Sequence, residues 1–257
     1  MKILLLGIPK TGTTFIYYLL KQSLPDKYFC LFEPSSNEMD YSVYYAKKNI
    51  LIKDLFVIES SIHNFSKIIS EFEKTIFIIR DPRDRLISAF FYFFVNKRNR
   101  TSLNIKTELV FDKVRQKIND PSIHFLSILK ELGFSPEQID HNYKLYQKYL
   151  ELVLDSDSLL IKYESIVEGE TGILGDYLGV KINNRQVIAH EHIHVTRSRF
   201  YGDWRNWFTP DDVHFFKNKY QDLLLKLGYE DDWVLNDNPK IDPKSSIDYL
   251  EKYADYF

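Results

Sequence analysis

The chain has 257 residues, with 34 Lys+Arg against 36 Asp+Glu, 44% hydrophobic and 27% charged residues, the balance of one globular domain with a substantial core. A formal charge of −2 excludes the general electrostatic pull on which nucleic-acid binders depend, leaving only local basic clusters for anions. The lone cysteine, Cys30, excludes a disulfide framework and a cysteine-rich zinc site, and fits a reducing, cytoplasmic setting.

Residues 2–8 form a continuous apolar run, as a strand buried on both faces would, and a helix follows over 14–22. The opening Met1-Lys2-Ile3-Leu4-Leu5-Leu6 has the look of a signal peptide, but the run breaks at Gly7 and Pro9 with no small-residue cleavage site after it. No other stretch approaches the roughly 18 apolar residues of a membrane span. Further strand-sized runs occur at 28–32, 50–57, 75–79 and 158–163. Helical patterns lie between and after them, at 82–95 following Asp81-Pro82, at 121–132 and at 137–154. The clearest helix spans 210–227, with Thr209 as N-cap, Pro210 at its first position, Asp211 and Asp212 at the positive end of the dipole and Gly228 past its end. The pattern predicts a single α/β domain over 1–257, a central mostly parallel sheet flanked by helices in the manner of P-loop nucleoside triphosphatases. Residues 96–108 lack periodicity, and 96–120 reads as a solvated loop or a mobile lid.

After the first strand comes Gly7-Ile8-Pro9-Lys10-Thr11-Gly12-Thr13-Thr14, its glycines spaced as in the nucleotide-binding loop G-x-x-x-x-G-K-[ST]. Thr13 stands where that loop has lysine, and the loop's own lysine, Lys10, lies inside it. Backbone amides and the start of the next helix would still face an anion, with hydroxyls from Thr13 and Thr14. A plainer reading makes this a strand-to-helix turn with Thr14 as N-cap. Pro9-Lys10-Thr11-Gly12-Thr13-Thr14 before an apolar helix resembles the 5′-phosphosulfate loop of the sulfotransferases that use 3′-phosphoadenosine 5′-phosphosulfate (PAPS).

That resemblance requires a second anion site for the 3′-phosphate. Arg80-Asp81-Pro82-Arg83-Asp84-Arg85-Leu86-Ile87-Ser88 is similar to the family's 3′-phosphate motif, with Arg80 leaving a strand and Ser88 in the next helix. Guanidinium gives phosphate two directed donors, and a serine hydroxyl adds a third. Asp81 and Pro82 also make a helix start, and Arg83 and Arg85 have a plain reading as solvent-facing. Near the C-terminus, Arg197-Ser198-Arg199-Phe200-Tyr201-Gly202-Asp203-Trp204-Arg205-Asn206-Trp207-Phe208-Thr209 resembles the family segment Arg-Lys-Gly-x-x-Gly-Asp-Trp-Lys-Asn-x-Phe-Thr, which wraps the 3′-phosphate. Ser198 replaces the usual lysine and Arg199 the usual glycine, while Trp204, Trp207 and Phe208 read as packing residues. Lys162-Tyr163-Glu164-Ser165 is similar to the family's Tyr-Glu-Asp stretch, whose tyrosine lies by the adenine, and Phe15 follows the loop where some members place a stacking tryptophan.

The resemblance implies transfer of a sulfuryl group from PAPS to a hydroxyl or amine of a small-molecule, carbohydrate or lipid acceptor, leaving adenosine 3′,5′-bisphosphate (PAP). Lys10 is the candidate to neutralise the leaving oxygen, and no divalent metal is required. Cytosolic members carry their base histidine two residues after a lysine; here Lys53 is kept but Leu55 fills the histidine position. Glu33, Asp54 and His63 remain as candidate bases, Glu33 resembling a glutamate of carbohydrate-type sulfotransferases. Its plainer reading, and that of Asp54, is a salt bridge to Lys53 or a cap; His63 reads equally as a half-exposed helix residue. The run His190-Glu191-His192-Ile193-His194, if extended, would put three histidines on one face, which is compatible with zinc, although ordinary loop histidines serve as well. Tyr41, Tyr44, Tyr45, Phe90, Phe91, Phe93 and Phe94 are candidate lining for an acceptor pocket. Two other readings stay open: a P-loop kinase with Asp81 as magnesium ligand, and a nucleotide-binding module without catalysis. Neither a nucleic acid nor a membrane span is expected, and the oligomeric state, monomer or homodimer, is open.

Overall fold

The structure, a computed structural model, describes residues 1–34, 46–56, 65–96, 100, 105–154, 157–183 and 188–254. In chain order the first elements are β1 (Lys2–Gly7), α1 (Thr13–Ser23), β2 (Phe29–Phe32), β3 (Ile50–Leu55), α2 (Phe65–Ser70), β4 (Lys74–Ile79) and α3 (Pro82–Val95). There follow α4 (Thr107–Asn119), α5 (Phe125–Glu131), α6 (Pro136–Leu154), β5 (Leu159–Lys162), α7 (Tyr163–Val167) and α8 (Gly172–Leu178). After a 3₁₀ turn at His190–Val195 come α9 (Trp204–Trp207), α10 (Pro210–Lys226) and α11 (Ile247–Tyr253). Two compact units emerge: Met1–Arg80 with Gln147–Thr196, and Asp81–Tyr146 with Arg197–Phe257.

The first unit holds a five-stranded sheet in the order β2-β3-β1-β4-β5, with every neighbouring pair parallel. Parallel strands need crossovers, and the apolar runs at β1, β3 and β4 supply the largely buried centre of the sheet, with β2 and β5 as its more exposed edges. Ile3, Leu5, Leu51, Ile76, Ile78 and Ile161 pack on one side with Ile16, Leu19 and Leu20 of α1, Ile166 of α7 and Leu174 of α8. Each such side chain removed from water contributes about 1.5–3 kcal/mol. On β4's other face Phe77 meets the Tyr149 ring of α6 edge-on at 5.6 Å. The Tyr149 hydroxyl donates to the Leu6 carbonyl at 2.8 Å and accepts from the Ile78 amide at 3.2 Å, so it closes the β1–β4 ladder where β1 ends. The strand order reverses at β1, and open α/β sheets bind ligands beyond the carboxyl ends of their strands at such a point.

In the second unit α3 starts where the sequence places it, Asp81 accepting the Arg83 amide at 2.8 Å with Pro82 at the first helical position. Phe90 and Phe91 pack edge-on against Phe125 and Trp207 at 5.4 and 5.3 Å. α10 begins with a capping box between Thr209 and Asp212. Buried Asp212 also accepts the Phe125 and Leu126 amides at 2.8 and 2.9 Å, fastening α5 to α10.

Several local expectations change. Arg83 and Arg85 are buried instead of facing solvent. The Arg83 guanidinium lies 4.0 Å from the Trp204 ring and 4.7 Å from the Trp233 ring, and Arg85 lies 5.2 Å from Tyr146, because a stacked guanidinium is at home on aromatic faces. The helix foreseen at 121–132 begins only at Phe125, and the strand foreseen to 57 ends at Leu55. Within 96–120, residues 107–119 form the helix α4, which buries Val110, Val114 and Lys117. The Lys117 ammonium donates to the Pro121 and Ile123 carbonyls at 2.6 Å, and burial lowers its pKa to about 8. Residues 97–99 and 101–104 lie outside the described residues, so the lid reading rests on sequence alone. Phe91 and Phe94 are core residues, and Tyr41, Tyr44 and Tyr45 lie outside the described residues.

Candidate active site

The glycine loop is shaped by its own short side chains. At Gly7 a Cβ would stand 2.4 Å from Thr13 Cγ2 and 2.7 Å from Thr11 Oγ1, which leaves room only for glycine. The Thr11 amide and hydroxyl both donate to the Ile8 carbonyl, at 3.2 and 2.8 Å, drawing the loop tight. Gly12, not Thr14, is the N-cap of α1; its φ of 90° is left-handed, and a Cβ there would fall 2.2 Å from the Tyr163 ring. Gly12 gives α1 no side-chain cap hydrogen bond, and the Thr13 and Thr14 hydroxyls stand in its first turn. This uncapped start fits a phosphosulfate, and half-buried Pro9 and Lys10 complete the loop.

Lys10 takes the left-handed conformation too, with φ 74°. Its ammonium donates to the Val195 carbonyl at 2.7 Å, and its own carbonyl faces Arg80 Nη1 at 3.5 Å, the long end of the range. The Arg80 guanidinium lies 4.7 Å from the Tyr163 ring, which also meets Phe15 edge-on at 6.2 Å. Ends of β1, β4 and β5 thus bring Lys10, Gly12, Arg80, Tyr163 and Phe15 together, the segments that the sequence singled out for the two ends of one nucleotide.

Beside β1, the carboxyl end of β3 carries Lys53, whose side chain is 1% exposed and whose ammonium is ion-paired with Glu33 and set 4.2 Å from the Phe32 ring. Burial lowers the Lys53 pKa to about 7, against the opposing pull of Asp54. Glu33 is clamped: its amide donates to the Lys53 carbonyl at 2.8 Å, its φ is 43° and its carboxylate holds the Lys53 ammonium. Asp54 accepts the Leu55 amide at 2.8 Å. His63 lies outside the described residues. Glu33 thus forms the salt bridge to Lys53 that its plainer reading expects.

The histidine run is a 3₁₀ turn, not an extended strand, so the single-face zinc geometry does not form. His192 Nδ1 is 2.6 Å from the Tyr18 hydroxyl, and its ring stacks on Phe32 at 3.7 Å. His194 is buried, and burial lowers its pKa, assisted by His192 and Lys10. Among the described residues no three His, Cys, Asp or Glu side chains are placed to hold a metal ion. The sequence registered these histidines but not their setting; Lys10 and the turn are 185 positions apart, and no local signal joins them.

In the second unit Ser88 is buried on α3. The Arg197 side chain is 2% exposed, with Nη2 donating to Asp203 at 3.0 Å and Nη1 to the Ser245 carbonyl at 2.9 Å. Its Nε is buried with no acceptor among the described residues, a donor that a phosphate oxygen would satisfy. Ser198 is half-buried and Arg199 exposed. Asp84, which the sequence did not single out, accepts the amides of Gly202 and Trp204, the latter at 3.1 Å, and so shapes the Gly202-Asp203-Trp204 turn. Asp81, the magnesium ligand of the kinase reading, is instead taken up by Arg83, with Nη2 to Oδ2 at 2.6 Å.

Among the described residues no helix is long and apolar enough to cross a membrane. No curated protein matches the chain. In fold it is similar to mouse sulfotransferase SULT7A1 complexed with PAP, at 17% identity over 88% of this chain and 86% of that one, with a TM-score of 0.58. Retinol dehydratase in complex with androsterone and the inactive cofactor PAP shares 14% identity over 92% and 82% of the two chains, with a TM-score of 0.45. The family model described as the sulfotransferase domain matches residues 1–188, which takes in the glycine loop, Arg80, Ser88 and Tyr163. The chain belongs to that family.

Proposed function

We propose that this protein moves the sulfuryl group of PAPS to a hydroxyl or amine of a small-molecule, carbohydrate or lipid acceptor and releases PAP. The observation that carries this reading is the uncapped start of α1 behind a loop whose lysine lies inside the loop. When bound, PAPS supplies an activated sulfur whose departing partner is a single phosphate oxygen. The Gly12, Thr13 and Thr14 amides and the two threonine hydroxyls orient that end, and Lys10 places positive charge where the oxygen becomes anionic. One such charge suffices there, so the reaction needs no divalent cation. Thr11 shapes the loop from within, Arg80 receives the 3′-phosphate, and Tyr163 and Phe15 face the adenine. By their sequence resemblance Ser88, Arg197, Ser198 and Arg199 share the 3′-phosphate.

Incubating the protein with sulfur-labelled PAPS, EDTA and a panel of phenols, sugars, amines and lipid alcohols tests this directly. Label transferred to at least one acceptor supports the reading. PAP binding without transfer to any of them leaves only the module without catalysis, and magnesium-dependent ATP binding in place of PAP binding returns the kinase.

A further inference from the structure

The residue expected to take the acceptor's proton is missing, since Leu55 fills its position, and the carboxylate of Glu33 is committed to Lys53. A different histidine lies by the loop. The 3₁₀ turn His190–Val195 is fixed on one side by the His192 ring, stacked on Phe32 and hydrogen-bonded to Tyr18, and on the other by the Lys10 ammonium on the Val195 carbonyl. His194 stands between these anchors, buried and within electrostatic range of Lys10.

We propose that His194 is the general base of the sulfuryl transfer. This rests on the sulfotransferase reading above and names a base beside the sequence candidates Glu33, Asp54 and His63. As the acceptor oxygen or nitrogen bonds to sulfur, its proton passes to the His194 imidazole. The bond from sulfur to the 5′-phosphate oxygen breaks, its electron pair stays on that oxygen, and Lys10 neutralises it. The two titratable neighbours, His192 and Lys10, join burial in disfavouring the imidazolium, so His194 is neutral at pH 7 and able to accept a proton. Being tied to the Val195 carbonyl, Lys10 is held at a fixed place relative to the turn that carries His194, which limits the motion of both groups during transfer.

The test uses the full chain and the variants His194→Ala and His194→Gln. Calorimetry with PAP is the readout independent of turnover: both variants bind within about threefold of the unaltered protein. Their transfer rate falls by about 10²–10⁴-fold, the scale of a lost general base, and the acid limb of the rate profile, which lies below the ordinary histidine range, disappears. Added imidazole restores part of the His194→Ala rate. In the unaltered, ligand-free protein, NMR shows an imidazole titrating below the ordinary histidine value that is absent from both variants. Transfer within about threefold of normal in His194→Ala, with its acid limb intact, overturns the proposal and leaves the sulfotransferase reading standing. So does lost PAP binding without imidazole rescue, which marks a structural residue. Absence of both PAP binding and transfer in the unaltered protein overturns both.

Discussion

The ammonium of Lys10 and the backbone carbonyl of Val195 lie 2.7 Å apart, joining the cation of the glycine loop to a turn 185 positions away. A carbonyl holds an ammonium without neutralising it, so Lys10 keeps its charge and gains a fixed position. Lys10→Ala is expected to lower turnover by about 100-fold or more, the scale of losing one donor to a developing oxyanion. PAP affinity should change far less, because the loop amides remain. Single-turnover kinetics beside PAP calorimetry separates the two effects, and equal losses in both would assign Lys10 to binding alone.

Gly12→Ala is a test of loop geometry. The residue sits at φ 90° and its new methyl would enter the Tyr163 ring, at 2.2 Å from Cδ2. The left-handed backbone costs about 1–2 kcal/mol and the overpacking about 1–3 more. Denaturant melts should show a drop of that size, and calorimetry should show PAP binding weakened at least tenfold. Tyr163→Ala removes the clash, so the further loss caused by Gly12→Ala in that background should shrink to the backbone cost of about 1–2 kcal/mol.

The sheet was legible because its central strands β1, β3 and β4 are largely buried and read as unbroken apolar runs, and α10 because Thr209, Pro210 and Asp212 each mark its start. The glycine loop was singled out by its spacing after β1, and Arg80 by its resemblance to the family's 3′-phosphate motif after β4. What stayed hidden depends on distant partners. Arg83 looks like any surface arginine until Trp204 and Trp233 cover it, and Asp84 gains meaning only from the amides at 202 and 204. The histidine run was visible, read either as an extended zinc face or as ordinary loop histidines, but its tight turn, held by Phe32 and Tyr18, depends on distant partners.

Buried Lys53 gives stability a definite pH dependence. Its folded pKa, lowered by burial to about 7, lies under the unfolded value near 10.4, so between these limits the unfolded chain binds more protons. Stability from this group therefore rises with pH from about 7 to 10, by up to about 1.4 kcal/mol per pH unit. In Lys53→Met that contribution vanishes. Urea melts of both proteins across this range should show the stability of the unaltered chain gaining on the variant as pH increases; parallel curves would show that Lys53 does not lose its proton there.

Asp212→Ala should destabilise the second unit by at least about 3 kcal/mol. The substitution removes the Asp212 half of the α10 capping box and leaves the Phe125, Leu126 and Thr209 amides without their carboxylate acceptor. Chemical denaturation followed by tryptophan fluorescence reads the loss through Trp204 and Trp207. A change under about 1 kcal/mol would mean that water replaces the carboxylate.

Metal-free calorimetric titration with PAP, run against magnesium-ATP, puts the glycine loop and its lysine to the most direct test. Saturable one-to-one binding of PAP in EDTA, weakened at least tenfold by Gly12→Ala and with no heat from magnesium-ATP, is the expected result. No PAP binding, or binding indifferent to Gly12, would contradict the assignment of this loop to the sulfuryl donor.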